Sequence, residues 1–358
     1  MSPTVMLLEI DGTEAGRDAL DAVIEVRAEE ATDEADAATV TMRVDPDATG
    51  GWPSLLDPLV TPRTPLAVRL ERDGRSYQFD GYSAEAVWDL DAEGHSTLTV
   101  KAIDRSLDLD RVEKAVAWPG QRDSAIAETI FTEHKLRAEV EPTPAGFDPD
   151  VHTVLQRGTD WSFVRELALK WGYVAYLEAD ESGQVTGHFH PPAPLAEPQG
   201  ELALGFGGDA HQARVRVDLL AGRRVIAHRL PPLAAVPVTA EAAGDDEAMA
   251  EVPLAAQVTE LLTPRDVAGE VDVGQAATGR ALRSAYGVTL TAALDTDRTG
   301  LLLRARRTVL VAGLGPVLSG GYLVDRVRHV VTLEAHRQEV TLRRNALGAA
   351  GFGLGGLG

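Results

Sequence analysis

His188-Phe189-His190 sets two imidazoles on one side of an extended segment, and two nitrogen donors are the beginning of a zinc site. No third ligand stands at a recognisable spacing, and Pro191-Pro192 follow at once, so the pair reads as the end of a strand. His329 and His336, set among alternating valines, read as structural or interface histidines. The adjacent carboxylates Glu29-Glu30 and Asp245-Asp246 suggest the acid and base of a muramidase, but neighbours in sequence rarely converge on one bond. In an acidic chain they read as solvated faces. Ser319-Gly320-Gly321 lacks the full Gly-x-Ser-x-Gly elbow and reads as a turn, and Gly205-Phe206-Gly207-Gly208 lacks the lysine and hydroxyl residue of a phosphate loop. These patterns predict no catalytic, cofactor-binding or metal site, and hence a protein that is not an enzyme.

Composition narrows the class further. The 358 residues exceed one ordinary core, which predicts two or three packed units. Hydrophobic residues make up 44%, and no apolar run approaches the roughly 20 residues that cross a bilayer, so no integral membrane segment is expected. Met1 to Ile10 reads as a short strand without a basic flank or cleavage site, so the chain is expected to stay where it is made. Cysteine is absent, which excludes disulfides and thiolate metal sites. With 55 acidic against 34 basic residues the formal charge is −21, which repels a polyphosphate, and 5% aromatic residues offer few stacking platforms. Direct nucleic-acid binding is therefore not expected.

The elements that position these residues follow from their periodicity. Val40 to Val44, Leu66 to Leu70 and Leu98 to Ala102 alternate apolar with polar positions, and Asp73-Gly74 marks a hairpin between Leu66 to Leu70 and Tyr77 to Tyr82. Asp45-Pro46-Asp47 and Gly50 to Pro53 punctuate this β region. From about residue 111 the period becomes helical. Asp123-Ser124 is expected to cap a helix through Leu136, and Thr159 a second one, with Trp161, Val164, Ala168 and Trp171 as its stripe and Gly172 as its stop. Tyr173 to Leu177 and Val185 to His190 read as a hairpin about Asp180 to Gly183. Strands return at Val215 to Leu219, Arg223 to His228, Leu301 to Ala305, Thr308 to Ala312, Tyr322 to His329 and Glu339 to Arg343, with a helix at Gly274 to Tyr286.

These pieces predict a mainly β chain with an α+β insert: a first β unit over 1–110, a small α+β domain over 111–198, a second β unit over 199–346 and a glycine-rich tail over 347–358. The second unit carries a Pro, Ala and acid-rich excursion at about 231–264. The tail holds Phe352, Leu354 and Leu357 with no obvious core to join, which makes it a candidate docking segment for a partner.

The two β regions share a pattern. Gly81-Tyr82 with Val87, and Gly321-Tyr322 with Val327, stand at the same spacing, each between an alternating strand and a strand that ends basic. Gly-Tyr also occurs at Gly172-Tyr173 after a helix, so the dipeptide alone says little. The shared context nevertheless suggests an internal duplication. Two such units per chain would let a homotrimer present a ring of approximate sixfold symmetry.

The chain resembles the phage late control protein D family, the baseplate hubs of contractile tails, and is similar to the N-terminal hub part of type VI secretion spike proteins. The resemblance is carried by Gln156-Arg157-Gly158-Thr159-Asp160-Trp161-Ser162-Phe163 with Leu167-Ala168 and Gly172, and by Val309 to Gly313, Ser319 to Tyr322, Val327, His329 and Arg343 to Ala346. It implies two tube-like antiparallel β-barrel domains flanking the α+β domain. It also implies a homotrimer that adapts a hexameric inner tube to a trimeric spike and forms part of the central channel. The implied partners are inner-tube or tube-initiator proteins, other baseplate components and a separate spike protein, because the OB domain and β-helical needle of the type VI proteins have no counterpart after Asn345. Assembly in the bacterial cytoplasm and residence in a phage, tailocin or injection-system particle would follow. Two alternatives stay open, a tail-associated cell-wall hydrolase and an OB-like binding module.

Overall fold

The computed structural model describes residues 3–44, 57–91, 93, 95–144, 153–205, 207–230, 237–244, 248–254, 258–264 and 270–350. The turn signals at Asp45 to Pro53, the pair Asp245-Asp246, and Phe352, Leu354 and Leu357 lie outside the described residues.

The first β region opens with β1 (Val5–Ile10), the short β2 (Thr13–Glu14) and α1 (Arg17–Ala22). Five antiparallel strands follow: β3 (Val23–Ala31), β4 (Ala37–Arg43), β5 (Pro65–Arg72), β6 (Arg75–Asp89) and β7 (Thr97–Asp104). Alternation sends Val40, Met42, Val68, Leu70, Leu98 and Val100 into one core. The hairpin between β5 and β6 turns at Asp73 and Gly74, both at positive φ, as a tight two-residue turn requires.

The α+β part runs α2 (Ser106–Leu109), β8 (Lys114–Trp118), α3 (Asp123–Glu133), β9 (Arg137–Val140), β10 (Val154–Gly158), α4 (Asp160–Trp171), β11 (Val174–Ala179) and β12 (Val185–His190). Thr159 caps α4 by accepting from the Ser162 amide, and Gly172 ends it in the left-handed region at φ 71. The stripe of Trp161, Val164, Ala168 and Trp171 packs into this part's own core. Asp123 is helical and buried, accepting from Trp171 Nε1 at 2.7 Å, so it serves the core and not the helix end.

The last region contains β13 (Glu201–Ala203), β14 (Ala210–Val217), β15 (Arg223–Arg229), β16 (Val238–Ala242), β17 (Ala250–Pro253), β18 (Val258–Leu262), α5 (Glu270–Ser284), β19 (Val288–Asp295), α6 (Thr296–Thr299), β20 (Thr308–Ala312), α7 (Gly315–Leu318), β21 (Gly320–Thr332), β22 (His336–Arg344) and β23 (Ala346–Ala350). The stretch expected to be an excursion contributes β16 and β18, which flank β15 and share a small core with α5 through Val225, Ala227, Val273 and Ala277. Short strands in acidic, alanine-rich sequence escape notice because their apolar sides rest on a helix remote in sequence. Helix α5 crosses α4 where a Cβ on Gly279 would lie 2.5 Å from the Gly172 nitrogen. Gly279→Ala gains about 1 kcal/mol of helix propensity but forces the backbones apart at about 1–3 kcal/mol. A net loss is expected in the urea midpoint, and a more stable variant would refute the contact.

The sheet order is the main feature. The path β14-β19-β22-β21-β3-β4-β7-β6-β5-β1-β2 forms one sheet, with β20 and β13 attached beside β21. The mainly β expectation, with large antiparallel tube-like β parts, holds. The described ladders do not close into separate rings. The two β regions instead join edge to edge where β21 pairs with β3.

Candidate functional site

The joint between the β regions is where the chain concentrates its chemistry. β21 lies antiparallel to β3, with Arg326 opposite Ala31 and Thr332 opposite Glu25. On the solvent face Arg328 Nε donates to Glu29 at 2.7 Å, Arg326 reaches Glu29 as well, and Arg326 also donates to Glu34 at 2.7 Å. Such half-exposed pairs contribute only about 0.2–1 kcal/mol each, so their main effect is to fix which strands meet and in what register. The same face carries Arg214, Arg216 and Arg343 beside Glu25 and Glu339, so the chain's acidity is not concentrated there.

Beneath the joint runs Leu301 to Arg307, whose first part, Leu301 to Ala305, reads as a strand in the sequence and is not one. From Leu301 to Ala305 side chains satisfy its backbone groups, while Arg306 and Arg307 exchange backbone hydrogen bonds with Val324 at 2.7 and 2.8 Å. Gln338 accepts from the Leu303 amide at 2.8 Å and donates to the Leu301 carbonyl at 2.7 Å, Gln199 does the same for Arg304 at 2.8 and 2.9 Å, and Glu30 accepts from the Ala305 amide at 3.0 Å. A short apolar run fits a buried strand equally well, and only the partners decide.

Two arginines of this segment bind all three parts of the chain together. Arg304 donates twice to Glu30, at 2.9 and 2.6 Å, and once to Glu178 of β11 at 3.0 Å, and its guanidinium lies over Tyr77. Arg306, at φ 64, holds Asp36 through two donors and the Ala31 carbonyl at 2.9 Å, with its guanidinium 4.2 Å from the Tyr176 ring centre. Burial alone would raise the Glu30 carboxyl, but the charge and hydrogen bonds of Arg304 override it and hold Glu30 down to about 2. Asp36 goes the other way, to about 8. Its burial, reinforced by Glu30 and Asp104, outweighs Arg306.

Glu29-Glu30 is thus not a solvated face. Glu30 is 2% exposed and Glu29 is a bridge between arginines. The signal available in sequence was Arg304 and Arg306 inside an otherwise apolar run, a charge that burial tolerates only with a partner.

The remaining sequence positions lie elsewhere. His188 stacks on Tyr176 at 4.5 Å, and His190 shares a hydrogen bond with the Tyr176 hydroxyl at 3.2 Å. His329 and His336 are buried and meet at 3.2 Å, with Thr4 on the far side of His336. No group of three metal-binding side chains occurs among the described residues. Gln156 and Asp160 form a buried knot, with Asp160 bound by Gln156, Lys114 and His134 at 2.7, 2.6 and 2.8 Å. Ser319 follows α7 and accepts from the Leu314 amide, as a turn residue does.

Gly81, Tyr82 and Val87 lie on β6, and Gly321, Tyr322 and Val327 on β21, but the two triplets are one residue out of phase. Tyr322 and Val327 are fully buried, whereas Val87 is 44% exposed and Tyr82 is half-buried against Arg105. A slip of one residue along a strand exchanges its faces. Gly81 is required by close packing, since a Cβ there would lie 2.2 Å from the Ile103 carbonyl oxygen.

No protein-family model matches the chain, and comparison with curated proteins likewise finds no match. Solved structures do match it over nearly its whole length. A 43 kDa tail protein of prophage MuSo2 from Shewanella oneidensis aligns with TM-score 0.69 and 14% identity, covering 96% of this chain and 99% of its own. A tail protein from Neisseria meningitidis aligns with TM-score 0.68 and 13% identity, covering 96% and 97%. An Escherichia coli component of the type VI secretion system, described as similar to the T4 tail proteins gp27 and gp5, aligns with TM-score 0.59 and 13% identity, covering 96% and 78%. The chain therefore has the fold of these phage tail and type VI secretion proteins.

Proposed function

We propose that this chain is a structural hub of a contractile, phage-tail-like particle. Three copies form a ring in which two β units per chain meet a hexameric inner tube on one side and a trimeric spike on the other. The ring encloses part of the central channel, and its role is mechanical and not catalytic. The glycine-rich end, with Phe352, Leu354 and Leu357, is the segment offered to the spike or a baseplate neighbour. Assembly takes place in the bacterial cytoplasm before the particle is complete.

The observation that supports this reading is a strand order that occurs twice. β3-β4-β7-β6-β5 and β14-β19-β22-β21-β20 have the same connectivity, and the two sets lie side by side in one sheet. Doubling a unit within a chain is the direct way for a threefold assembly to face a sixfold one. Sedimentation and native mass spectrometry of the purified chain are expected to show a trimer that appears in projection as a hollow ring with six similar lobes. A monomer or dimer at every concentration would sink the proposal, as would clearing of peptidoglycan in a zymogram.

A further inference from the structure

Each half of the joint between β21 and β3 has a counterpart, on β6 and on β14, that pairs with no such strand among the described residues. The two strand sets match down to their irregularities: bulges fall between Val23 and Glu25 in β3 and between Ala210 and Gln212 in β14. Further bulges fall between Ser83 and Glu85 in β6 and between Val324 and Arg326 in β21. Aligning the bulges places Glu85 on Arg326 and Ala213 on Val26. After its bulge β21 leaves β20 and pairs with β3. The equivalent part of β6, residues 85–89, pairs with β7 on one side and has no strand on the other among the described residues. Among the described residues β14, the equivalent of β3, pairs only with β19.

We propose that residues 85–89 of β6 in one copy pair antiparallel with β14 of a second copy, repeating between chains the joint that the chain makes within itself. The register follows from the in-chain pairs Arg328 with Glu29 and Val330 with Arg27. It sets Val87 opposite Arg216 and Asp89 opposite Arg214. This rests on the ring proposed above and names the surfaces that close it.

Charge and burial support the same occupant. Within the chain the basic strand is β21, with Arg326 and Arg328, and the acidic strand is β3, with Glu25 and Glu29. At the free edges the signs are exchanged, with Glu85 and Asp89 on β6 and Arg214 and Arg216 on β14. The free edges attract each other, while β14 meeting a second β21 would oppose arginine to arginine. Residues 84–87 are exposed although the first part of β6 alternates between buried and half-buried, the pattern of a strand lacking its neighbour. The register also brings Trp88 beside Val215, two half-buried side chains that already pack on the cores of their own units.

The absence of native cysteine permits a direct test. Val87→Cys combined with Arg216→Cys is expected to oxidise to a covalent ladder that ends at the closed ring. Val87→Cys combined with Gln212→Cys, two positions out along the same face, should not crosslink. Asp89→Arg should raise the concentration for half-assembly by about tenfold, equivalent to about 1.4 kcal/mol, and adding Arg214→Asp should restore it. A trimer that forms without the Val87–Arg216 crosslink, or a charge swap that fails to rescue, overturns the edge pairing and leaves the ring reading intact. Failure of the unmodified chain to oligomerise overturns the ring itself.

Discussion

Glu30→Ala is expected to destabilise the chain by about 3–5 kcal/mol, the characteristic cost of removing one partner from a buried ion pair. The Glu30 carboxylate binds Arg304 through two donors and the Ala305 amide through a third. Its loss leaves a guanidinium that is 8% exposed with Glu178 as its remaining carboxylate. Desolvation decides the magnitude, because a half-exposed pair such as Arg328 with Glu29 would lose under about 1 kcal/mol. Combining Glu30→Ala with Arg304→Met should cost less than the sum of the single changes, since the stranded charge is then gone. Urea unfolding followed by circular dichroism measures both, and a Glu30→Ala loss below about 1 kcal/mol would show that the buried pair does not hold the joint.

Acid should loosen the protein well before ordinary carboxylates titrate. Burial, followed by repulsion from His336, drives His329 down to about 3, and burial drives His336 and His188 down to about 4 from an ordinary 6.5. These groups are charged in the unfolded chain below pH 6.5 but neutral in the folded one. Their contribution is therefore present above pH 6.5 and lost as the pH falls towards 4. Asp36 has the opposite sign, because its raised value favours the folded chain at low pH and its contribution is lost as the pH rises through about 8. Each histidine taken alone contributes about 1.4 kcal/mol per pH unit between about pH 6 and 4, and the raised carboxyls Asp36, Asp104 and Asp325 offset part of the sum. Below about pH 4.5 protonation of Glu30 in the unfolded chain adds to the loss. Urea midpoints at several pH values measure the slope, and His329→Phe should remove about 1.4 kcal/mol per unit of it. A flat profile from pH 7 to 4.5 would mean that these rings are not held neutral.

Local pattern was enough for much of the fold. Alternation at Val40 to Val44, Leu66 to Leu70 and Leu98 to Ala102 and the Asp73-Gly74 turn marked the first β unit, and Thr159 and Gly172 bounded α4. Each of these signals is complete within a few residues. Leu301 to Ala305 is a short apolar run that reads as a buried strand and is not one, because its hydrogen bonds go to Gln199, Gln338 and Glu30. Glu30 itself has nothing local to distinguish it from Glu29; its partner lies 274 positions away.

The repeat shows the same division. Sequence suggested two related units from Gly-Tyr and valine spacing, and the strand order does recur, but the matched residues are one position out of phase. Both strands carry their bulge at the equivalent point of the ladder, so equivalent positions follow the ladder and not the dipeptide. The sequence by itself determined the mainly β class, the helical middle part, the missing thiols and the excess of acid, all properties of composition or of short-range periodicity. Only the tertiary structure decided that the two β units share one sheet and that Arg304 and Arg306 are its buried clasp. Strand pairing and charge burial join residues hundreds of positions apart, and no local pattern encodes which distant edge or carboxylate will be the partner.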